Sequence, residues 1–325
     1  MKKREILYQF LFTALALYLI FLLLRYPTSA LKYASTGLNL WFNKMVPTLL
    51  PFMILSGIMI RMNLTENFVR LLHPLLHFLF RTSRNGSYTI VMGFLCGFPM
   101  GARIVGELYE QRKLSREESA LLLYFCNNIG PVYFFSYVIP TLEIDRPLGP
   151  FLLMYGIPLL YGLLLMRIKP TITNPGIKRG QCKNRSELCL LNAEVCAHPA
   201  HKDSSSSLPA AIDASVLSSL IGIAKLGGYM VFFNLLNIIF QPFDHINTEI
   251  LKVYRCLLEI TSGIDYSGRS IYYAVLILLP FGGFSCIAQT YSMIRQTDLS
   301  IHSYLFHKTV QTAVTALCYL FLYLH

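Results

Sequence analysis

A few ionisable side chains lie inside long apolar stretches, where charge is unfavourable and therefore indicates function. Lys225 lies well within an apolar run from about Ala214 to Phe240, and Glu259 is its candidate partner. Lys225 could receive a substrate carboxylate, with Glu259 balancing it at rest. The alternative is that Lys225 extends to the membrane interface as an anchor.

A second charged pair, Arg103 and Glu107, immediately follows a glycine-rich stretch. Arg103 and Glu107 could bind an anionic group and balance its charge. Alternatively, the two side chains only pair along one helix face, because they are four residues apart.

Amide side chains occur where the apolar segments are interrupted. Asn127 and Asn128 precede Gly130-Pro131, and Gln289 lies beside a second interruption. Their donors and acceptors suit the lining of a polar cavity, although such amides also join helices inside membranes. We favour cavity lining because the amides occur at two separate helix breaks.

The sequence has none of the common hydrolase, metalloprotease or phosphate-loop motifs, so we expect neither an enzyme nor a cofactor. One polar region does contain thiol and imidazole groups, which are preferred zinc ligands. The groups are Cys182, Cys189, Cys196, His198 and His201. Because their spacing differs from that of zinc knuckles, we expect an unstructured loop and no metal.

Composition defines the class of protein. Of 325 residues, 54% are hydrophobic and only 14% charged, and the mean hydropathy is +0.50. These values indicate a multi-pass membrane protein. The net charge of +11 does not indicate nucleic-acid binding, because the basic residues are scattered among apolar runs and are densest in one loop.

The first interruption is the stretch 93–102, inside a charge-free run from Asn85 to Ala102. Gly97, Pro99 and Gly101 prevent one continuous helix, so the chain should form a broken, re-entrant helical hairpin. Non-helical backbone at membrane depth lies in protein or beside a watery cavity, and transporters bind substrates there. Gly97, Phe98, Pro99 and Gly101 are therefore candidate substrate-binding residues.

A weaker copy, containing Gly283 and Phe284, lies in the charge-free run from Ser270 to Ile294. Gly-Phe-x-x-x-Ala occurs at Gly97 and at Gly283, and each copy is followed 16 or 17 residues later by Leu-Ser. We therefore expect two related halves with a hairpin in each. Half-helices beginning near Gly97 and Gly283 would direct their positive N-terminal ends at a carboxylate.

The predicted architecture is all-α, with two inverted repeats. It comprises an N-terminal transmembrane helix and connector (1–40), a first repeat (41–168), a flexible cytoplasmic linker (169–209) and a second repeat (210–325). If the first hairpin re-enters, the basic groups on both sides of it face the cytoplasm, as the positive-inside rule requires. This orientation leaves four basic residues outside: Lys252, Arg255, Arg269 and Arg295.

Four motifs resemble a known family. They are Gly97-Phe98-Pro99-Met100-Gly101-Ala102-Arg103, Cys126-Asn127-Asn128-Ile129-Gly130-Pro131, Leu258-Glu259-Ile260-Thr261-Ser262-Gly263 and Gly282-Gly283-Phe284. In this order they resemble the YlbJ-type sporulation integral membrane proteins, which contain two Gate, or nucleoside-recognition, domains. The resemblance covers roughly Trp41–Leu324. The sequence departs from the family at Ile129 and in the linker.

The resemblance implies a role in endospore formation, with transport of dipicolinic acid from the mother cell towards the forespore as the leading activity. It also implies a bacterial cell membrane or the outer forespore membrane as the location. Arg103, Lys225, Phe98 and Phe284 would suit a small aromatic dicarboxylate. The alternatives are a transporter of nucleosides or of another organic anion, and a non-transporting scaffold of a sporulation membrane complex. The expected partners are sporulation membrane proteins or a second copy of the chain.

Overall fold

The structure is a computed structural model that describes residues 2–168, 207–242 and 248–324, and the regular elements in these ranges are helices. The first half contains α1 (Lys2–Arg25), α2 (Pro27–Leu40), α3 (Val46–Arg61), α4 (Thr65–Phe68), α5 (His73–Phe80), α6 (Arg84–Cys96), α7 (Met100–Glu110), α8 (Arg116–Cys126), α9 (Pro131–Tyr133), α10 (Ile139–Leu142) and α11 (Leu148–Ile168). The second half contains α12 (Leu208–Leu235), α13 (Thr248–Leu258), α14 (Ile260–Ser267), α15 (Tyr272–Leu278), α16 (Gly283–Ile294) and α17 (Ile301–Leu324).

Six helical stretches in the described ranges are long and apolar enough to cross a membrane, which confirms the all-α polytopic class. They are Ile6–Arg25, Pro27–Arg61, Arg116–Leu142, Leu148–Ile168, Leu208–Phe240 and Tyr272–Ile294. α17 is 24 residues long and extends for about 36 Å, enough for a bilayer core. It falls outside this set because its first turns carry polar side chains, among them His307, Lys308 and Gln311.

The interruption at Gly97 forms a helical hairpin, as predicted. α6 packs against α7, and both outer ends of this pair lie near the C-terminal end of α3. Arg84, at the start of α6, pairs with Glu66 at 3.2 Å. Lys113, just after α7, donates to the Ile60 carbonyl at 2.7 Å. The chain therefore enters and leaves the hairpin at the same end of the helix bundle.

The second hairpin is not where the glycine pattern placed it. α13 packs against α14, and a Cβ at Gly263 would overlap Cys256, so these two helices fold back on each other. Gly283 instead begins the second part of the apolar stretch Tyr272–Ile294. Repetition of Gly-Phe misled the prediction because glycine interrupts a crossing helix as readily as it turns a hairpin.

Both halves nevertheless have the same order of elements. Each contains a long apolar helix, a hairpin, an interrupted span and a final long helix. The final helices are α11 and α17, and they pack against each other. A shared order of elements in the two halves is what an internal repeat predicts. The inversion of one half relative to the other stays a prediction.

Charged residues mark the two ends of the bundle. At one end, the loop before α17 meets the start of α8, where Arg116 Nε lies 2.7 Å from Asp298 Oδ2. Burial opposes ionisation of Asp298, but hydrogen bonds from Tyr109 and Arg116 outweigh it, so the pKa of Asp298 lies below its usual value. At the other end, Arg269 lies 3.6 Å from Glu143.

This arrangement changes the predicted position of Arg295. The residue follows α16 at the end of the span opposite Arg269, in the same loop as Asp298. Arg295 therefore lies at the Arg116 end of the bundle, together with the basic residues that were predicted to be cytoplasmic. One of the four exceptions to the positive-inside rule is removed.

The predicted linker, 169–209, lies outside the described residues except for its last three positions, and α12 already begins at Leu208. Its zinc candidates, Cys182, Cys189, Cys196, His198 and His201, lie outside the description as well. In the described ranges, no group of three His, Cys, Asp or Glu side chains could hold a metal ion.

Candidate functional site

The centre of the molecule is a crossing of two interrupted helices. Gly97, with a φ of 87°, ends α6, and Gly130 lies in the break between α8 and α9. A Cβ at Gly97 would overlap the nitrogen of Gly130, and a Cβ at Gly130 would lie 2.8 Å from the Cys96 carbonyl oxygen. Only residues without side chains allow the two backbones to come this close.

Phe98, at the tip of the first hairpin, connects this crossing to the second half of the chain. A Cβ at Gly282, in the break between α15 and α16, would lie 3.0 Å from the Phe98 ring. The ammonium of Lys308, on α17, lies 5.1 Å from the centre of the same ring. Phe98 therefore packs against the second interrupted span and also covers a cation.

Lys308 is fully buried and is bound by neutral groups. Its Nζ donates to Asn128 Oδ1 at 2.7 Å and to Gln311 Oε1 at 3.4 Å. It also lies 5.9 Å from the centre of the Tyr304 ring. Gln311 is held in turn because its Nε2 donates to the Tyr124 carbonyl at 2.7 Å.

These contacts do not neutralise the ammonium. Two hydrogen bonds of about 2 kcal/mol each and two cation–π contacts of about 1 kcal/mol each offset much of the several kcal/mol that removing an ion from water costs, but they supply no opposite charge. Among the residues that the structure describes, no carboxylate forms an ion pair with Lys308. A buried cation that only dipoles surround is a candidate for a functional residue.

Asn127 joins three helices beside Lys308. Its Nδ2 donates to Thr290 Oγ1 at 2.9 Å and to the Tyr304 hydroxyl at 3.0 Å, and its Oδ1 accepts from the Ala102 backbone N–H at 3.3 Å. Asn127 and Asn128 are not among the residues that line the neighbouring cavity, so the structure does not support the predicted role as cavity lining for them. Asn127 joins the helices instead, and it caps α7, whose first residue is Met100 rather than Gly97.

A cavity lies where the interruptions meet. It is lined by Phe98 from the first hairpin, Gly130 from the first interrupted span, Glu259 from the second hairpin and Gln289 from α16. Its volume is about 50 Å³, room for a few water molecules. The structure thus brings together residues from three of the four motifs, and Gln289 from beside the fourth, around one small cavity.

Arg103 lies apart from this cavity, in the interface with α12. It is buried, pairs with Glu107 at 2.7 Å and donates to the hydroxyls of Ser218 and Ser219 at 3.2 and 3.3 Å. Its Nη1 has no hydrogen-bond partner among the described residues. The four-residue pairing that the sequence left open is formed, and one donor of the guanidinium remains available.

The expected pair of Lys225 and Glu259 is not formed. Lys225 is exposed on the surface of α12. Glu259 is buried and caps α14, because its carboxylate accepts from the backbone N–H groups of Thr261 and Ser262 at 3.1 and 2.7 Å. The structure favours the alternative in which Lys225 is an anchor, since its helix face is turned outwards.

The predicted site residues in and after the second glycine pattern differ from one another in burial. Gln289 is buried and donates to Ser285 Oγ at 3.0 Å, whereas 46% of Phe284 is exposed. A Cβ at Gly283 would lie 3.0 Å from the Cys256 carbonyl oxygen, so other backbone acceptors approach the start of α16. Phe284 is not among the residues that line the cavity, and the start of α16 is less suited to a carboxylate than expected.

Sequence reasoning missed Lys308, Tyr304 and Gln311. The available signal was a lysine near the start of the apolar run from about Tyr304 to Leu324. A lysine in that position is usually an interfacial anchor. Its burial depends on the packing of α17 against α8 and α11. A hydropathy profile gives no information about which helices pack together.

Comparison with known proteins agrees with the motif resemblance. The chain is 25% identical over 337 aligned residues to the sporulation integral membrane protein YlbJ of Bacillus subtilis (strain 168), covering 92% of this chain and 79% of the relative. No solved structure matches the chain. Residues 42–142, which contain the first hairpin, Asn128 and Gly130, match the model of the Gate family, described as nucleoside recognition. The chain is thus a multi-pass membrane protein that is similar to YlbJ.

Proposed function

We propose that this protein is a membrane transporter that acts during endospore formation and moves a small organic anion. Dipicolinate is the leading candidate, carried from the mother cell towards the forespore across the cell membrane or the outer forespore membrane. We propose transport rather than catalysis. The observation that carries the proposal is Lys308, a fully buried ammonium beside the crossing of the interrupted helices.

An anion would improve the electrostatics of this site. The amides of Asn128 and Gln311 bind Lys308 through dipoles alone, so a carboxylate that displaced one of them would form an ion pair in a water-poor environment. Phe98 covers the ammonium and lines the cavity. An aromatic anion that moved Phe98 aside could replace its ring contacts while it binds the cation.

The described cavity is too small for this substrate. A cavity of about 50 Å³ is far smaller than the several hundred Å³ usual for ligand sites. Entry of a ring-shaped dicarboxylate therefore requires the hairpin tip to move away from the second half. Because Gly97, Gly130 and Gly282 lie at the breaks where these segments meet, we propose that the segments separate there in alternating access.

Nucleoside transport is the second candidate. The cavity lining includes Glu259, Thr261 and Gln289, which offer the hydrogen-bonding groups that an uncharged sugar and base need. Glu259 would also repel an anion if ionised, and Lys308 itself is not part of the lining. A nucleoside that bound at Glu259 would leave Lys308 as a structural cation.

Uptake of labelled dipicolinate into vesicles containing the purified protein tests the proposal. Lys308→Met should abolish uptake, because it keeps the volume and removes the charge. Lys225→Met is the matched control, since it removes a lysine from an exposed face of another span, and it should retain uptake.

Uptake that survives Lys308→Met would contradict the role of the buried cation. Uptake of labelled uridine in place of dipicolinate would favour the nucleoside alternative. A folded protein that moves neither compound would favour the non-transporting scaffold.

A further inference from the structure

A seam between the two halves of the chain runs from the central cavity to the Arg116 end of the bundle. It is formed by α7, from the first hairpin, and α16, from the second interrupted span, which pack against each other. Phe98, just before α7, and Cys286, in the first turn of α16, both line the cavity. The two helices therefore start beside the cavity, and we call their contact the α7–α16 seam.

Close contacts join the two helices along this seam. Asn127 bridges them, because it accepts from the Ala102 backbone N–H at 3.3 Å and donates to Thr290 Oγ1 at 2.9 Å. Nearer the Arg116 end, a Cβ at Gly106 would lie 2.9 Å from the Met293 carbonyl oxygen. Since Gly106 has no side chain, the backbones of α7 and α16 approach each other directly at this point.

Asp298 binds the outer end of the seam to two helices of the first half. Its Oδ1 accepts from the Tyr109 hydroxyl at 2.7 Å, and its Oδ2 accepts from Arg116 Nε at 2.7 Å. Asp298 follows α16, whereas Tyr109 lies on α7 and Arg116 begins α8. Both carboxylate oxygens are thus bound across the boundary between the halves, and hydrogen bonds to an ionised acceptor are stronger than neutral ones.

The position of this ion pair suits it to control a conformational equilibrium. The side chains of Arg116 and Asp298 are 57% and 58% exposed, so the pair contributes little to the stability of the whole protein. It can still shift an equilibrium several-fold if only one of two conformations forms the bond. Because water reaches both partners, the bond can break and re-form without unfolding.

We propose that Asp298, Tyr109 and Arg116 form a latch that holds the α7–α16 seam together and blocks access to the central cavity from the Arg116 end. When the latch is released, α7 and α16 separate and water reaches the cavity from that end. The inference deepens the proposed transport function and rests on it, since a transporter must open its site to each side of the membrane in turn.

Reactivity of Cys96 tests the latch, because this thiol is buried and lines the cavity. The full chain in sealed vesicles of each orientation is treated with a membrane-impermeant thiol reagent, and mass spectrometry measures modification of Cys96. Asp298→Asn keeps the shape and removes the charge, so the reaction from the Arg116 side should become about fivefold faster. Arg116→Gln should act in the same way. The double variant should react no faster than Asp298→Asn, because both changes remove the same ion pair.

Two control variants separate the latch from a general effect of charge. Glu117→Gln removes one negative charge, as Asp298→Asn does, from an exposed residue next to Arg116. Glu143→Gln weakens the contact between the halves at the opposite end of the bundle, where Glu143 lies 3.6 Å from Arg269, beyond hydrogen-bonding distance. Both controls should keep the wild-type rate from the Arg116 side.

Uptake in the same vesicles distinguishes failure of the latch from failure of the proposed function. Wild-type reactivity of Cys96 in both latch variants, with uptake intact, would overturn the latch alone, and so would equal acceleration in Glu117→Gln. Absence of uptake together with an unreactive Cys96 in every variant would contradict the transporter as well. If Asp298→Asn fails to fold, as thermal unfolding shows, Arg116→Gln decides the question, since Arg116 is exposed.

Discussion

The Nζ atom of Lys308 lies 2.7 Å from the Oδ1 atom of Asn128, so the last helix of the chain is bound to the break in the first interrupted span. The two residues are 180 positions apart. This hydrogen bond joins the charged side chain of Lys308 to the non-helical segment that contains Asn128. The first prediction tests it.

Asn128→Asp should convert this hydrogen bond into an ion pair. The protein should remain folded, but anion uptake should fall at least tenfold, because the introduced carboxylate occupies the position that we assign to the substrate. Gln311→Glu introduces a carboxylate from the other partner of Lys308 and should act in the same way. Vesicle uptake and thermal unfolding of both variants check this result.

A control shows whether the new pair forms. Asn128→Asp combined with Lys308→Met leaves a buried carboxylate without a cation, so it should unfold at a lower temperature than Asn128→Asp alone. Equal unfolding temperatures would mean that the carboxylate does not contact Lys308, and wild-type uptake in Asn128→Asp would contradict the anion site.

Gly97→Ala should destabilise the protein. The new Cβ would overlap the nitrogen of Gly130, and the φ of 87° disfavours any side chain. The cost should be about 2 kcal/mol or more. Gly156→Ala is the control, since nothing lies within 4 Å of the added Cβ, and it lies within α11, where alanine is favourable. Comparable losses of thermal stability in the two variants would contradict the close crossing.

Lys225 and Glu259 should behave independently. Lys225→Ala should change stability by less than about 0.5 kcal/mol, because the side chain is exposed. Glu259→Gln should cost about 1 kcal/mol or more, because it weakens the cap that the carboxylate forms on α14. The double variant should show the sum of the two effects, measured by thermal unfolding. A coupling well above about 0.5 kcal/mol would restore the ion pair that the sequence suggested.

Cysteine labelling should assign the sides of the membrane. In a chain whose eight cysteines are replaced, new cysteines at Ser115 and Ser186 should react with an impermeant reagent from the cytoplasmic side, as the positive-inside rule predicts. A cysteine at Glu143 should react from the opposite side, because the span Arg116–Leu142 separates it from Ser115. Labelling of Ser115 and Glu143 from one side would refute this topology.

The sequence predicted the class of fold, the first hairpin and the interruption at Asn127–Gly130, because glycine, proline and the absence of charge are local signals. It could not assign the faces of helices. Lys225 lies deep in an apolar run, but Gly222 and Leu226 are on the buried side of α12, and Lys225 is not. Lys308 shows the reverse, since its burial arises from contacts with residues almost 200 positions away.

The backbone contact between Gly97 and Gly130 restricts how the central cavity can widen. No side chain separates the two backbone segments, so neither can absorb a displacement of the other by a rotamer change. A shift of the hairpin tip by a fraction of an ångström must displace the break in the neighbouring span as well. The two segments are therefore mechanically coupled. A movement that begins in either backbone segment directly displaces the other.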